Sequence, residues 1–134
     1  MPYTLPAARR RPRDLGLVDG RLRACPNRPN CVSSLAAVEA QRVAPLEYQG
    51  DPAVARRRLL AILRADPRAT VVTERDDYVH AEYRAFVFVD DVEFHLPAGE
   101  GVIHVRSASR LGHSDLGANA RRVRAIRAAF SSPQ

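Results

Sequence analysis

FVFVDDVEFHLPAGEGVIHVRS, residues 86–107, decides the fold. Apolar and polar residues alternate through both halves, and the break between them, Pro97–Glu100, carries a proline and a glycine, so the stretch predicts two antiparallel strands joined by a short loop. With a four-residue loop, Leu96 faces Gly101, Phe94 faces Ile103, Val92 faces Val105 and Asp90 faces Ser107. The other side then pairs Glu93 with His104 and Asp91 with Arg106. Placing the preceding turn at Arg84 and Ala85 adds Val79, Ala81, Tyr83, Phe86 and Phe88 to the apolar side. Tyr78, His80, Glu82, Asp91, Glu93, His95, His104 and Arg106 fall on the opposite face, expected to meet solvent.

Outward from this hairpin, ATVVTE (69–74) and YVHAEYR (78–84) read as two more strands, rich in β-branched and aromatic residues. Before them, Asp51 as N-cap and Pro52 at the first position open a helix that buries Ala55, Leu59, Ile62 and Leu63 and stops before Pro67. Residues 43–48 form a short strand ahead of it. A last helix, from Asp115 to Phe130, carries Leu116, Ala120, Val123, Ile126 and Phe130 at helical spacing. The expected fold is α+β: an antiparallel sheet of about five strands in the order β-α-β-β-β-β-α, with two helices on one face. That order is similar, in topology only, to one half of a TATA-binding protein or a helix-grip domain, and topology assigns no function.

The chain has 134 residues, enough for one core, and 46% hydrophobic residues, a globular composition. No apolar run approaches the roughly 20 residues of a membrane span. Its net charge of +6 is carried by arginine alone. Proline and arginine dominate the start of the chain, so residues 1–20 read as a flexible basic arm and 21–134 as a single domain. With no apolar leader segment, the expected location is cytoplasmic. The basic run at Arg9–Arg13 lacks the zinc-finger spacing and aromatic interleaving of nucleic-acid binders, so nucleic acid is not an expected partner. Oligomeric state is left open.

Three features carry possible chemistry. Cys25 and Cys31 bracket a proline-stiffened turn that brings their Cα atoms within disulfide reach; two buried thiols, a disulfide, and a catalytic or metal role all fit this spacing. Asp90 falls in phase with core side chains and needs a partner, expected in the 106–110 segment, either as a structural clamp or to position an arginine whose remaining donors face a ligand; Asp91 beside it is expected to be tolerant of change. Glu93, His95 and His104 offer metal-ligand chemistry in principle, but histidines on a sheet face are ordinarily only hydrated, so no metal and no cofactor is expected.

The third feature is RSASRLGHSDLGANARR, residues 106–122. A glycine-bearing loop runs into a helix start, where free N–H groups and the dipole favour an anion, with Arg106, Ser107, Ser109, Arg110, Ser114, Asn119, Arg121 and Arg122 as candidate ligand-binding residues. Alternatively, Ser114 or Asp115 caps the helix and fills the site itself. The loop lacks the Lys-Ser/Thr of a P-loop, and Ser109, His113 and Asp115 lack a nucleophile elbow.

CPNRPNCVSS, FVFVDDVEF and VIHVRSASRLGHSDLGANARRVRAIR together resemble the signature blocks of the uncharacterised family known as domain of unknown function 1499, over about residues 15–130. The resemblance implies no catalytic residues. Because members of that family are often secreted, membrane-anchored or plastid-directed, it favours a disulfide between Cys25 and Cys31. The family pattern usually has tyrosine where this chain has His113, which argues against His113 as an obligatory base. The sequence thus points first to a small binding module for an anionic ligand or group. The alternatives are an enzyme, hydrolytic or thiol-dependent, using the same loop and the polar sheet face, and a purely structural or interaction domain.

Overall fold

The computed structural model describes residues 10–112 and 114–132. The fold is α+β. Two short strands, β1 (Leu17–Val18) and β2 (Arg21–Leu22), form a small hairpin; then follow β3 (Cys31–Ser33), β4 (Leu46–Glu47), α1 (Pro52–Ala65), β5 (Ala69–Glu74), β6 (Tyr78–Ala85), β7 (Phe88–His95), β8 (Val102–Ser109) and α2 (Ala118–Ser131). The main sheet is antiparallel in the order β3-β8-β7-β6-β5, and β4 also pairs with β8. The anticipated strand at 43–48 is thus Leu46–Glu47, and β3 is an additional strand of this sheet.

Local chemistry sets the helices. Asp51 accepts a hydrogen bond from the Ala53 N–H at 2.8 Å, and Pro52 opens α1. Ala55, Leu59, Leu60 and Leu63 of α1 and Val123, Ile126 and Phe130 of α2 meet Val79, Ala81, Tyr83, Val92, Phe94, Ile103 and Val105 of the sheet in one core. Both helices therefore cover the same face, as the alternation predicts.

The β7–β8 register differs from the expectation by two residues: Phe94 faces Val105, Val92 faces Ser107, Asp90 faces Ser109 and Glu93 faces Arg106. The connection runs from Leu96 to Gly101, longer than Pro97–Glu100. Leu96 is buried and donates its N–H to the Asp77 carbonyl, and the Gly101 carbonyl accepts from the Tyr48 N–H at 3.0 Å, so both ends belong to the loop. Because the slide is even, each side chain keeps its face. The preceding turn is Phe86–Val87, since Ala85 pairs with Phe88, and Phe86 takes the first central position with φ 56°. Phe86 and Phe88 are consequently exposed, not core.

The opposite face is not solvated. Tyr78, His80, Glu82, Asp91, Glu93, His95 and Arg106 are all buried, because residues 10–24 cross this face and the β1–β2 hairpin sits against β7 and β8. Cys25 and Cys31 form a disulfide with Cα atoms 5.7 Å apart, fixing the turn that follows the hairpin to the start of β3. Closing so small a loop restricts the unfolded chain by about 2 kcal/mol. Cys25→Ser with Cys31→Ser is expected to lower the urea midpoint by the equivalent of about 2 kcal/mol; an unchanged midpoint would show that the turn is held without the bond.

Candidate functional site

On the polar face, alternate residues of β6, β7 and β8 build two ionic clusters. In the first, Glu93, fully buried, accepts from the Tyr78 hydroxyl, from the Gly16 N–H at 2.7 Å and from Arg106 Nη1 at 3.2 Å; Arg106 Nη2 donates to Asp14 at 3.1 Å. Burial, reinforced by the hydrogen bond to Glu93, pushes the Tyr78 phenol pKa up. Gly16 and Asp14 belong to the segment expected to be a free arm.

In the second cluster, Arg110 grips Asp91 with Nε and Nη2, at 2.8 and 2.9 Å, and also reaches Glu82. His80 Nε2 lies 2.8 Å from Asp91, and Arg11 and Arg84 add bonds to Glu82 at 3.0 and 3.2 Å. Burial alone would raise the Asp91 carboxyl, but the Arg110 and His80 hydrogen bonds outweigh it and hold its pKa below the ordinary value. Glu82 is lowered in the same way, burial being outweighed by Arg11 and Arg110. His80, Glu82 and Asp91 bring ligand atoms within 4.8 Å of one another, a metal-like grouping, yet the guanidinium of Arg110 already supplies the positive charge these acids require.

Asp91, 2% exposed, is therefore the fully buried carboxylate bonded to the 106–110 segment, reversing the roles expected for the pair. Asp90, on the helix-facing side and partly exposed, pairs instead with Arg122 of α2 at 2.8 Å.

The candidate anion loop is divided by the sheet itself. Residues alternate along β8, so Arg106 sits on the polar face while Ser107 points to the helices and bonds Asn119. Ser107 donates to Asn119 Oδ1 at 2.6 Å, Arg122 donates to the same oxygen at 2.8 Å, and Asn119 Nδ2 reaches Ser109 Oγ, Asp115 and the Asn30 carbonyl. Asn119 has no exposed surface and knots β8, α2 and the turn before β3 together. The start of α2 is Ala118, not Asp115, and its free N–H groups are met from within the chain: Asp115 accepts from Gly117 N at 2.8 Å and Asn119 N at 3.1 Å. Those bonds outweigh burial and keep the Asp115 pKa low. Ser114 is exposed and accepts from the Leu116 N–H; Arg121 is exposed and donates to the Leu116 carbonyl at 2.7 Å. His113 lies outside the described residues.

Two cavities flank this knot. One, of about 140 Å³, lies on the polar face, between residues 12–15 and the disulfide loop, where Arg28, Asn30, Arg106, Ser109 and Arg110 line it with Asp14 and Asp91. Arg28 and Asn30 were not anticipated as site residues; CPNRPN offered only turn chemistry, and their nearness to β8 depends on the pairing of β3 with it. The other cavity, of about 330 Å³ and mainly apolar, lies between the β6–β7 turn and the 109–118 loop, with Asp90 and Arg122 among its lining. No helix is long and apolar enough to cross a membrane among the described residues.

The family model described as Protein of unknown function (DUF1499) matches residues 21–130. No curated protein matches the chain.

Proposed function

We propose, for a chain that belongs to the family Protein of unknown function (DUF1499), that the domain is a binding module for a small anionic molecule or group, received in the polar cavity beside the disulfide loop. One observation carries the reading. Arg106 is 2% exposed and lines that cavity, and its Nε has no hydrogen-bond partner among the described residues. A buried donor left unsatisfied costs about 1–3 kcal/mol, and on this reading an acceptor at the cavity wall meets it. Arg28 supports the same reading: it is exposed, has no ion pair or side-chain hydrogen bond among the described residues, and lines the same space.

Of the residues first considered as ligands, this reading keeps Arg106, Ser109 and Arg110 and adds Arg28 and Asn30. Ser107, Ser114, Asn119, Arg121 and Arg122 serve the helix side. A competing reading, an interaction domain whose arginines serve only the fold, is favoured by the carboxylate partners of Arg106, Arg110 and Arg122. The thiol-dependent alternative is weakened because both cysteines are engaged in the disulfide. That bond also favours an oxidising compartment over the cytoplasm expected from the sequence.

Thermal melts in phosphate, sulfate and small carboxylates separate the two readings. Binding at about 100 times Kd adds about 2.7 kcal/mol to the folded state. Arg28→Ala is expected to leave the anion-free melting temperature unchanged, since the side chain is solvated, and to abolish most of the anion-dependent rise. A wild-type melting temperature indifferent to all these anions rejects the binding reading.

A further inference from the structure

At the far end of the sheet, two residues combine features that rarely occur together. Phe86 is 97% exposed with φ 56°, and Leu116 is 84% exposed with φ 54°. A positive φ is disfavoured for a side chain larger than Gly, Asn or Asp, and the first central position of a two-residue hairpin turn with positive φ ordinarily takes glycine. Here two large apolar side chains occupy left-handed positions and gain no burial in return. Strain held at such positions points to use elsewhere.

They are not isolated. Val87, Phe88 and Leu111 are also exposed, and Ala85, Phe88, Leu111 and Leu116 line the apolar cavity between the turn and the loop. The result is an apolar tip with a cleft behind it, larger in character than scattered surface leucines. Around it arginines slightly outnumber acids. Arg11, Arg84 and Arg110 meet Glu82 and Asp91, Arg122 meets Asp90, Arg121 has no carboxylate partner among the described residues, and Asp115 is turned onto backbone N–H groups. The whole chain carries +6, so a second copy is repelled while an anionic surface is attracted.

We propose that this end of the sheet is a membrane-contact tip: Phe86, Val87, Phe88, Leu111 and Leu116 enter the apolar boundary of a lipid surface, and Arg84 and Arg121 meet its anionic headgroups. None of these apolar residues lines the anion cavity, so the proposal does not depend on it, though the two clefts share Ser109 and Arg110. A membrane satisfies both features at once, because it offers a continuous apolar phase to side chains that no pocket wall encloses, beneath a layer of negative charge.

The experiment is co-sedimentation of the intact protein with vesicles of phosphatidylcholine alone and of phosphatidylcholine with phosphatidylglycerol. Wild type is expected to pellet with the anionic vesicles. Phe86→Gly combined with Leu116→Asn is expected to bind about tenfold less or weaker still, from the loss of two apolar insertions, while its melting temperature is equal or higher because both replacements suit the left-handed backbone. Arg28→Ala should pellet as wild type does, which separates the tip from the anion cavity. Wild type remaining in the supernatant with both vesicle types overturns the proposal. Undiminished binding by the double variant does the same. So does a wild-type dimer in sedimentation velocity that the double variant abolishes, which reassigns the tip to self-association.

Discussion

Asp91→Ala is expected to destabilise the protein by about 3–5 kcal/mol, and Asp90→Ala by about 1 kcal/mol. The asymmetry follows from what each substitution leaves behind. Without Asp91, Arg110, whose side chain is 4% exposed, retains only Glu82 among its described acidic partners, and His80 loses its carboxylate. Without Asp90, Arg122 keeps Asn119 Oδ1 and its stacking over the Tyr83 ring, at the edge of solvent. Denaturant titration of both variants measures the difference, and equal losses would contradict the buried cluster. The same carboxylate gives a pH signature. Its folded pKa is depressed, so its contribution is complete above the unfolded value of about 3.9 and is lost as pH falls through the folded value. Wild type should therefore lose stability steeply below about pH 4, and Asp91→Asn should show a shallower acid limb.

Deleting residues 1–16 is the second large perturbation. An arm that does not pack can be removed without effect. Arg11, Asp14 and Gly16 instead donate to or pair with Glu82, Arg106 and Glu93, and hydrogen bonds to charged groups contribute about 1.5–3 kcal/mol each. Uncovering the face lets water return to those groups, so the expected net loss is about 3 kcal/mol rather than the sum. A truncated chain that melts with wild type would support a domain boundary at residue 21.

How far the sequence could be read depended on periodicity. Alternation through residues 86–107 placed Val92, Phe94, Ile103 and Val105 on one face and Glu93, His95, His104 and Arg106 on the other, and that assignment survives a two-residue slide because parity is preserved. Loop length is not periodic, which is why Leu96 and Gly101 were given to strands and the partners across the sheet were misplaced. The polar face was legible as a set, but not as buried: charged alternation ordinarily means water. The covering segment around Asp14 and Gly16 has no periodicity of its own, and its place is fixed by single hydrogen bonds to distant residues. In the candidate site, Arg106, Ser109 and Arg110 of RSASR line one cavity, while Ser107 between them points to the helices because a strand sends neighbours to opposite faces.

The covering segment also sets an order on the ribosome. Residue 14 emerges long before its partner Arg106, 92 positions later, and Gly16 waits for Glu93, 77 positions later. The sheet must therefore be made while its charged side is still bare and wet, and the segment around Asp14 and Gly16, synthesised before the strands it covers, is among the last to dock. Until it does, Glu93 and Arg106 stay open to water that the finished protein excludes, so maturation of the nascent chain ends with a dehydration step on that face of the sheet.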